Sequence, residues 1–251
     1  MTGNAPQTVT PKTAMVMAAG LGTRMRPLSD HRPKALVEVG GRALLDHTLD
    51  RLAEGGVETA VVNVHAFADQ MEAHLADRNW PRILISDERA RLLETGGGLK
   101  QARALLGETP IFVANSDYVW TGEGAPWLAQ LAAAFDPARM DALVTVAPKA
   151  RTLGFDTPGD FFLADDGRLT RRGEAAEAPY HAFGIQIIDP RFAYEVAAEA
   201  FSLRDVWFAM AERGRLFGLV PDGLWMQVGD PEAVGAAERA LRQAASSRPV
   251  K

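Results

Sequence analysis

The chain contains no cysteine in its 251 residues, so neither a disulfide nor a thiolate-bound metal can contribute, and a reducing, cytoplasmic location is expected. No apolar run approaches the roughly 18 residues of a membrane-spanning helix, and a soluble protein is expected. Positive charge is not in excess: 27 Lys and Arg stand against 32 Asp and Glu, a net charge of −5, which gives no general attraction to nucleic acid or to an anionic membrane. The first residues, MTGNAPQTVTPK, lack the early basic region and the long apolar run of a secretory signal. Residues 1–12 are expected to form a disordered tail, followed by one domain over 13–245.

With 47% apolar and 24% charged residues, the composition is that of an ordinary globular protein with room for one large α/β domain. Strand-length apolar runs alternate with helix-period segments, the pattern of βαβ units and a mainly parallel sheet. Thr13–Ala18 reads as a buried first strand, Leu44–Glu54 as a helix stopped at Gly55-Gly56, and Thr59–Val64 as the next strand. Ile83–Ser86, Pro110–Ala114 and Asp141–Ala147 read as further strands, with helices over Gly98–Leu106 and Ala125–Phe135. From about 153 to 189 shorter strands and a turn at Asp166-Gly167 suggest an antiparallel flap over the sheet. The last helix should be capped by Asp230, start at Pro231 and run to about Ala245.

The segment Ala18 to Lys34, AAGLGTRMRPLSDHRPK, follows the first strand, where open α/β sheets bind ligands beyond their strand ends. Residues 20–34 hold Arg24, Arg26, Arg32 and Lys34 against Asp30 alone, which points to a small anionic ligand. Gly20 and Gly22 let backbone N–H groups of Ala18, Ala19 and Thr23 approach phosphate oxygens; Arg24 offers a planar fork to the terminal phosphates, and Lys34 a point charge near the α-phosphate. Met25 stands where a dinucleotide fingerprint needs its third glycine, and strand Thr59–Val64 carries Asn63 where that fingerprint needs an acid. A Walker loop is also absent, since no Gly-Lys-Ser/Thr occurs.

Gly20-Leu21-Gly22-Thr23-Arg24, with Pro27-Leu28 and Pro33-Lys34, resembles the signature of the sugar-1-phosphate nucleotidyltransferases. Within that group the short length, the run Glu94-Thr95-Gly96-Gly97-Gly98 and the segment Trp225–Gly229 most resemble the N-acetylmuramate-1-phosphate uridylyltransferases of cell-wall recycling. The resemblance covers about residues 13–242 and implies a Rossmann-like nucleotidyltransferase fold: a mostly parallel central sheet, helices on both faces and a small antiparallel flap. It implies transfer of a nucleotidyl group, from UTP for this subgroup, to a sugar 1-phosphate, with release of pyrophosphate and the help of Mg2+. Mannose-1-phosphate guanylyltransferase and glucose-1-phosphate thymidylyltransferase are the alternatives with the same chemistry, and a catalytically weak nucleotide-sugar-binding protein is the alternative without it. Oligomeric state is not legible.

Asp117 ends the segment Ala114-Asn115-Ser116-Asp117 after a strand, facing the same crevice as the glycine loop, and is the expected Mg2+ ligand and third catalytic residue beside Arg24 and Lys34. In the family a second carboxylate commonly comes from the segment matched by Trp225–Gly229, where this chain has Gln227. The three glycines from Gly96, Gly97 among them, are read as a bare lead-in to a helix against which base or ribose can lie, with Glu88 near the base edge. Asn115, Gly159 and Asp160, with the nearby segment His181–Gly184, are read as the sugar side. His47, His65 and His74 show no metal-ligand spacing and are read as structural, and Trp80, Trp127 and Trp207 as core or partly buried anchors.

Overall fold

The computed structural model describes residues 10–122 and 124–246; the first nine residues of the expected tail lie outside them. Pro11 is buried, and the Lys12 carbonyl accepts the N–H groups of Glu58 and Thr59, so these two residues belong to the fold. In chain order come β1 (Thr13–Met17), the short pair β2 (Glu38–Val39) and β3 (Arg42–Ala43), α1 (Leu44–Glu54), β4 (Thr59–Val64), α2 (Ala68–Ala76), β5 (Arg82–Asp87), α3 (Glu94–Gln101) and α4 (Arg103–Leu106). Then follow β6 (Ile111–Asn115), β7 (Tyr118–Trp120), α5 (Gly124–Ala134), β8 (Ala142–Pro148), β9 (Thr152–Leu153), β10 (Phe161–Leu163), β11 (Leu169–Arg171) and β12 (Tyr180–Ile188). The chain closes with α6 (Arg191–Tyr194), α7 (Leu203–Glu212), β13 (Leu216–Leu219), β14 (Trp225–Gln227) and α8 (Pro231–Ser246).

The main sheet has nine strands, and its first half is parallel: β1 lies between β4 and β6, with Ala14 opposite Ala60 and Phe112, and β5 flanks β4. These strands are apolar on both faces because both are covered. Ala14 and Val16 point into one core with α1, α2 and α5, while Met15 and Met17 point into a second with α3, α4 and α7. Since β1, β4 and β6 run the same way, Ala18, Asn63 and Asn115 emerge together at one edge, where a parallel sheet builds its ligand crevice.

The antiparallel half is less flap-like than the sequence suggests. β10 and β11 form the expected hairpin around Asp166-Gly167, but β12, inside the same span, is a full strand of the main sheet, antiparallel to both β6 and β8. Its register against β8 shifts between Ala182 and Gln186, an irregularity of the kind that bends a strand. On its other side β6 pairs as far as Ile185 and β10 begins at Tyr180, so residues 181–184 face a gap in the ladder that the site uses.

A second sheet, in the order β7-β14-β9, packs in front of α1 and α5. Trp225 pairs with Trp120 across it, their rings stacked with centroids 5.0 Å apart, and Trp127 of α5 stands edge-on to both at 5.5 and 5.3 Å. All three indoles are buried, and their N–H groups have no hydrogen-bond partner. Trp80, expected as an anchor, is instead 53% exposed. The last helix begins as read: Asp230 Oδ1 accepts the Ala233 N–H at 2.8 Å and Pro231 takes the first position.

The helix expected from Gly98 begins at Glu94, so Gly96, Gly97 and Gly98 lie inside α3 rather than before it. They are glycines because the helix sits directly on another chain segment: a Cβ on Gly97 would stand 2.3 Å from the Glu199 carbonyl oxygen, and one on Gly96 2.3 Å from the Phe201 ring. Gly97 is thereby removed from the ligand crevice.

Candidate active site

At the carboxyl edge of the parallel strands lies a cleft of about 390 Å³ that contains Ala18, Ala19, Gly20, Lys34, Glu88 and Asp117. The glycine loop leaves β1 under the control of one buried side chain that the sequence reading passed over. Asn63 Oδ1 accepts the N–H groups of Ala18 and Ala19 at 2.6 and 3.2 Å, while its Nδ2 donates to Glu88 Oε1 at 2.8 Å. Its signal was a single amide in the otherwise apolar TAVVNV strand, noticed only as the wrong residue for a dinucleotide site. Ser116 works similarly, its hydroxyl donating to the Met17 carbonyl at 2.9 Å and tying the end of β6 to that of β1.

Gly22 sits at φ 63°, and a Cβ there would be 2.7 Å from Lys34 Cβ. Both facts require glycine, and they bring the loop against Lys34. Thr23 and Arg24 form the first residues of a single 3-10 turn and are exposed. The Arg24 guanidinium lies beside Gly229, just after β14, and forms no ion pair among the described residues. Glu94 of the same cleft holds the left-handed conformation, at φ 60°, a strained choice for a side-chain-bearing residue.

Lys34 Nζ meets Asp117 Oδ2 at 2.7 Å, with the two side chains 15% and 19% exposed, so the two sequence-predicted charges are brought into direct contact across 83 residues. Asp117 is further held through its backbone: its carbonyl accepts the Val228 N–H at 2.8 Å, and the adjacent Tyr118 pairs with Gln227. Among the described residues no three His, Asp or Glu side chains gather as a preformed metal cage. The Asp117 carboxylate faces the Lys34 ammonium in the first cleft, and Gln227, on the strand paired with the adjacent Tyr118, lines the second. This fits a cation held by one carboxylate and by substrate oxygens, the usual arrangement for Mg2+.

Glu88 is 2% exposed and its Oε2 has no hydrogen-bond partner. Burial pushes its carboxyl up from the ordinary carboxylate range, against the hydrogen bond from Asn63.

Behind Asn115 a second cleft of about 290 Å³ opens at the gap along β12. Thr95, Asn115 and Ser202 line both clefts, making them two arms of one crevice. Gly159, Asp160 and Gln227 line the second arm. Asp160 Oδ2 accepts the Ala182 N–H at 3.0 Å. Burial alone would raise its carboxyl, but the nearby His181 imidazole, the hydrogen bond from the Ala182 N–H and the charge of Arg204 outweigh burial and hold it below the usual range. The other histidines are structural in their contacts: His47 bonds the Val39 carbonyl, His65 the Glu88 carbonyl, and His74 the Asp46 carboxylate. Arg171, Arg172 and Arg204, which also line the second arm, were not singled out from the sequence.

The description that matches this chain, over residues 14–244, is that of the MobA-like NTP transferase domain. The chain belongs to that family. An N-acetylmuramate alpha-1-phosphate uridylyltransferase of Caulobacter vibrioides is 54% identical over 239 residues, 93% of this chain and 98% of that protein. A mannose-1-phosphate guanyltransferase of Neurospora crassa is 30% identical over 233 residues, 87% of this chain and 61% of its own. In fold, this NTP transferase matches the inositol-1-phosphate CTP transferase of T. maritima with a TM-score of 0.75 at 16% identity, covering 96% of this chain and 99% of that one. The resemblance to the sugar-1-phosphate nucleotidyltransferases read from the glycine loop is borne out over nearly the whole chain. No helix of this NTP transferase, among the described residues, is long and apolar enough to cross a membrane.

Proposed function

We propose that this enzyme transfers the uridylyl group of UTP to N-acetylmuramic acid 1-phosphate, giving the UDP-sugar and pyrophosphate, in the cytoplasm and in the service of cell-wall recycling. The observation that carries the reaction is the Lys34–Asp117 contact in the first of two connected clefts, beside a glycine loop and an Arg24 that has no ion pair among the described residues. The choice of substrates is supported by the likeness to the Caulobacter protein, which extends over 98% of that protein.

In this reading UTP lies in the first cleft, with its phosphates on the backbone of Ala18, Ala19, Gly20, Gly22 and Thr23 and on the guanidinium of Arg24. Glu88 Oε2, buried and unpartnered, accepts a donor from the base edge, such as the N3–H of uracil. The sugar occupies the second cleft, against Asn115, Gly159 and Asp160, so that its phosphate passes Asn115, which lines both clefts, toward Lys34 in the first. A phosphate oxygen of the sugar attacks the α-phosphorus in line and the pyrophosphate leaves. The nucleophile is already an anion, so the residues need no general base; they hold two anions together and balance the charge that develops. Asp117, and Gln227 through its amide oxygen, would hold Mg2+, which when bound neutralises phosphate charge.

The test is pyrophosphate release measured for four nucleoside triphosphates against a panel of sugar 1-phosphates. UTP with N-acetylmuramic acid 1-phosphate should give the highest kcat/KM. A preference for GTP with mannose 1-phosphate, or for dTTP with glucose 1-phosphate, would overturn the substrate assignment and leave the reaction class standing.

A further inference from the structure

The second cleft is more cationic than a sugar requires. Three arginines line it, Arg171 and Arg172 from the end of β11 and the turn after it and Arg204 from the first turn of α7, and the only acid among its lining residues is Asp160. Asp160 is already engaged, its Oδ2 on the Ala182 N–H and 3.7 Å from His181 Nδ1. Arg171 is also engaged: its guanidinium lies 4.4 Å over the Phe208 ring, and it is 3.9 Å from Glu212. Arg172 donates to the carbonyls of Gly159 and Ala175, which fixes its fork while leaving its charge unpaired by any carboxylate among the described residues.

Arg204 is different. Its side chain is exposed in the cleft and has no carboxylate within ion-pairing distance among the described residues. Its backbone N–H is taken by the Ser202 hydroxyl and that of Leu203 by Thr95, so the helix terminus is already capped and the guanidinium is what remains on offer. The wall beside it is rigid: Trp207 Nε1 donates to the buried Gln186 at 2.6 Å.

The position of this charge along the crevice decides its use. The acceptor phosphate must meet Lys34 and Asp117, which line the first cleft only, whereas Arg204 and Arg172 line the second only. A glucose or mannose 1-phosphate bears no charge beyond its phosphate and would leave these guanidiniums facing neutral hydroxyls. A carboxylate on the sugar matches the planar fork of arginine in shape as well as in charge.

We propose that Arg204, with Arg172 beside it, forms a carboxylate-reading subsite that selects an acidic sugar 1-phosphate over a neutral one. The inference rests on the function proposed above and deepens it: the sugar named there carries a lactyl ether, and the carboxylate of that group is what Arg204 reads.

The experiment compares N-acetylmuramic acid 1-phosphate with N-acetylglucosamine 1-phosphate, which has the same ring without the lactyl ether, at saturating UTP. Arg204→Ala should lower the ratio of kcat/KM between the two acceptors by roughly 10- to 100-fold, mainly through KM for the acidic one, as expected for a lost charge-assisted hydrogen bond. Arg204→Lys should restore part of that ratio, because it keeps the charge and loses the fork. The melting temperature and KM for UTP control for a merely structural change. If the ratio stays the same, or both acceptors fall equally, the inference fails while the proposed function survives. A wild-type enzyme that prefers mannose or glucose 1-phosphate overturns both.

Discussion

Asn63→Asp changes one atom and should turn the stability of this enzyme into a function of pH. In the wild type the Asn63 amide donates to Glu88 Oε1 at 2.8 Å, and the two residues are 3% and 2% exposed. In the variant the donor becomes a second carboxylate oxygen at that distance, while the oxygen that accepts from Ala18 and Ala19 is kept. Burial already pushes the Glu88 carboxyl up from its ordinary range, and the variant adds a like charge and removes the hydrogen bond that opposed this shift. A carboxyl whose folded pKa is raised is stable at low pH and loses stability as pH rises through the raised value. The pair should therefore share one proton in mild acid and stay close to wild type. Near neutrality two charges about 3–4 Å apart repel by about 4 kcal/mol at the dielectric usual for protein sites. At roughly 2–4 °C per kcal/mol for a chain of this size, the melting temperature should fall below wild type by about 8–16 °C at about pH 8, and by little at about pH 5. Thermal unfolding of both proteins across that range measures it. A deficit that is constant with pH would refute the reasoning, because it would mean that Asn63 and Glu88 do not share a buried contact.

Arg24→Ala should lower kcat/KM by about 10² or more with little change in melting temperature, since the residue is exposed and its fork is offered to phosphate; normal turnover would remove it from the site. Lys34→Ala should match that loss and Lys34→Arg should not rescue fully, because a planar fork differs in shape from the compact ammonium that meets Asp117 at 2.7 Å; full activity in the arginine variant would contradict this. Asp117→Asn should remove most Mg2+-dependent activity, and activity retained at low Mg2+ would sink the role. Gln227→Asp should lower the Mg2+ concentration giving half-maximal rate, and an unchanged concentration would mean that residue 227 does not face the cation.

The glycine loop was legible as a candidate phosphate site because its chemistry is concentrated: glycines, arginines and a lysine stand within fifteen residues after a strand. The parallel strands were legible for a related reason, since burial on both faces leaves continuous apolar runs. What escaped depends on partners far away in sequence. The glycines of α3 were read as a bare lead-in against which base or ribose can lie, because nothing local announces that Glu199 and Phe201 press on them. Asn63 looked like a missing acid because its hydrogen bonds run to Ala18, Ala19, Glu88 and the Met17 sulfur, all distant in sequence. The three arginines of the second cleft come from two elements more than thirty residues apart, and only the course of β12 and α7 puts them together. β12 was read as part of a flap because its antiparallel place between β6 and β8 leaves no mark on its own residues.

The stacked indoles of β7, β14 and α5 give this enzyme a built-in optical sensor. Trp120 and Trp225 are in face contact with Trp127 edge-on, close enough for their transitions to couple, and all three are shielded from water. Trp225 lies two residues before Gln227 on its strand, and Trp120 three after Asp117. Any movement of these strands that accompanies occupation of the crevice alters the geometry of the trio and hence its near-ultraviolet circular dichroism. Exposed Trp80 stands apart on another edge and answers to solvent instead.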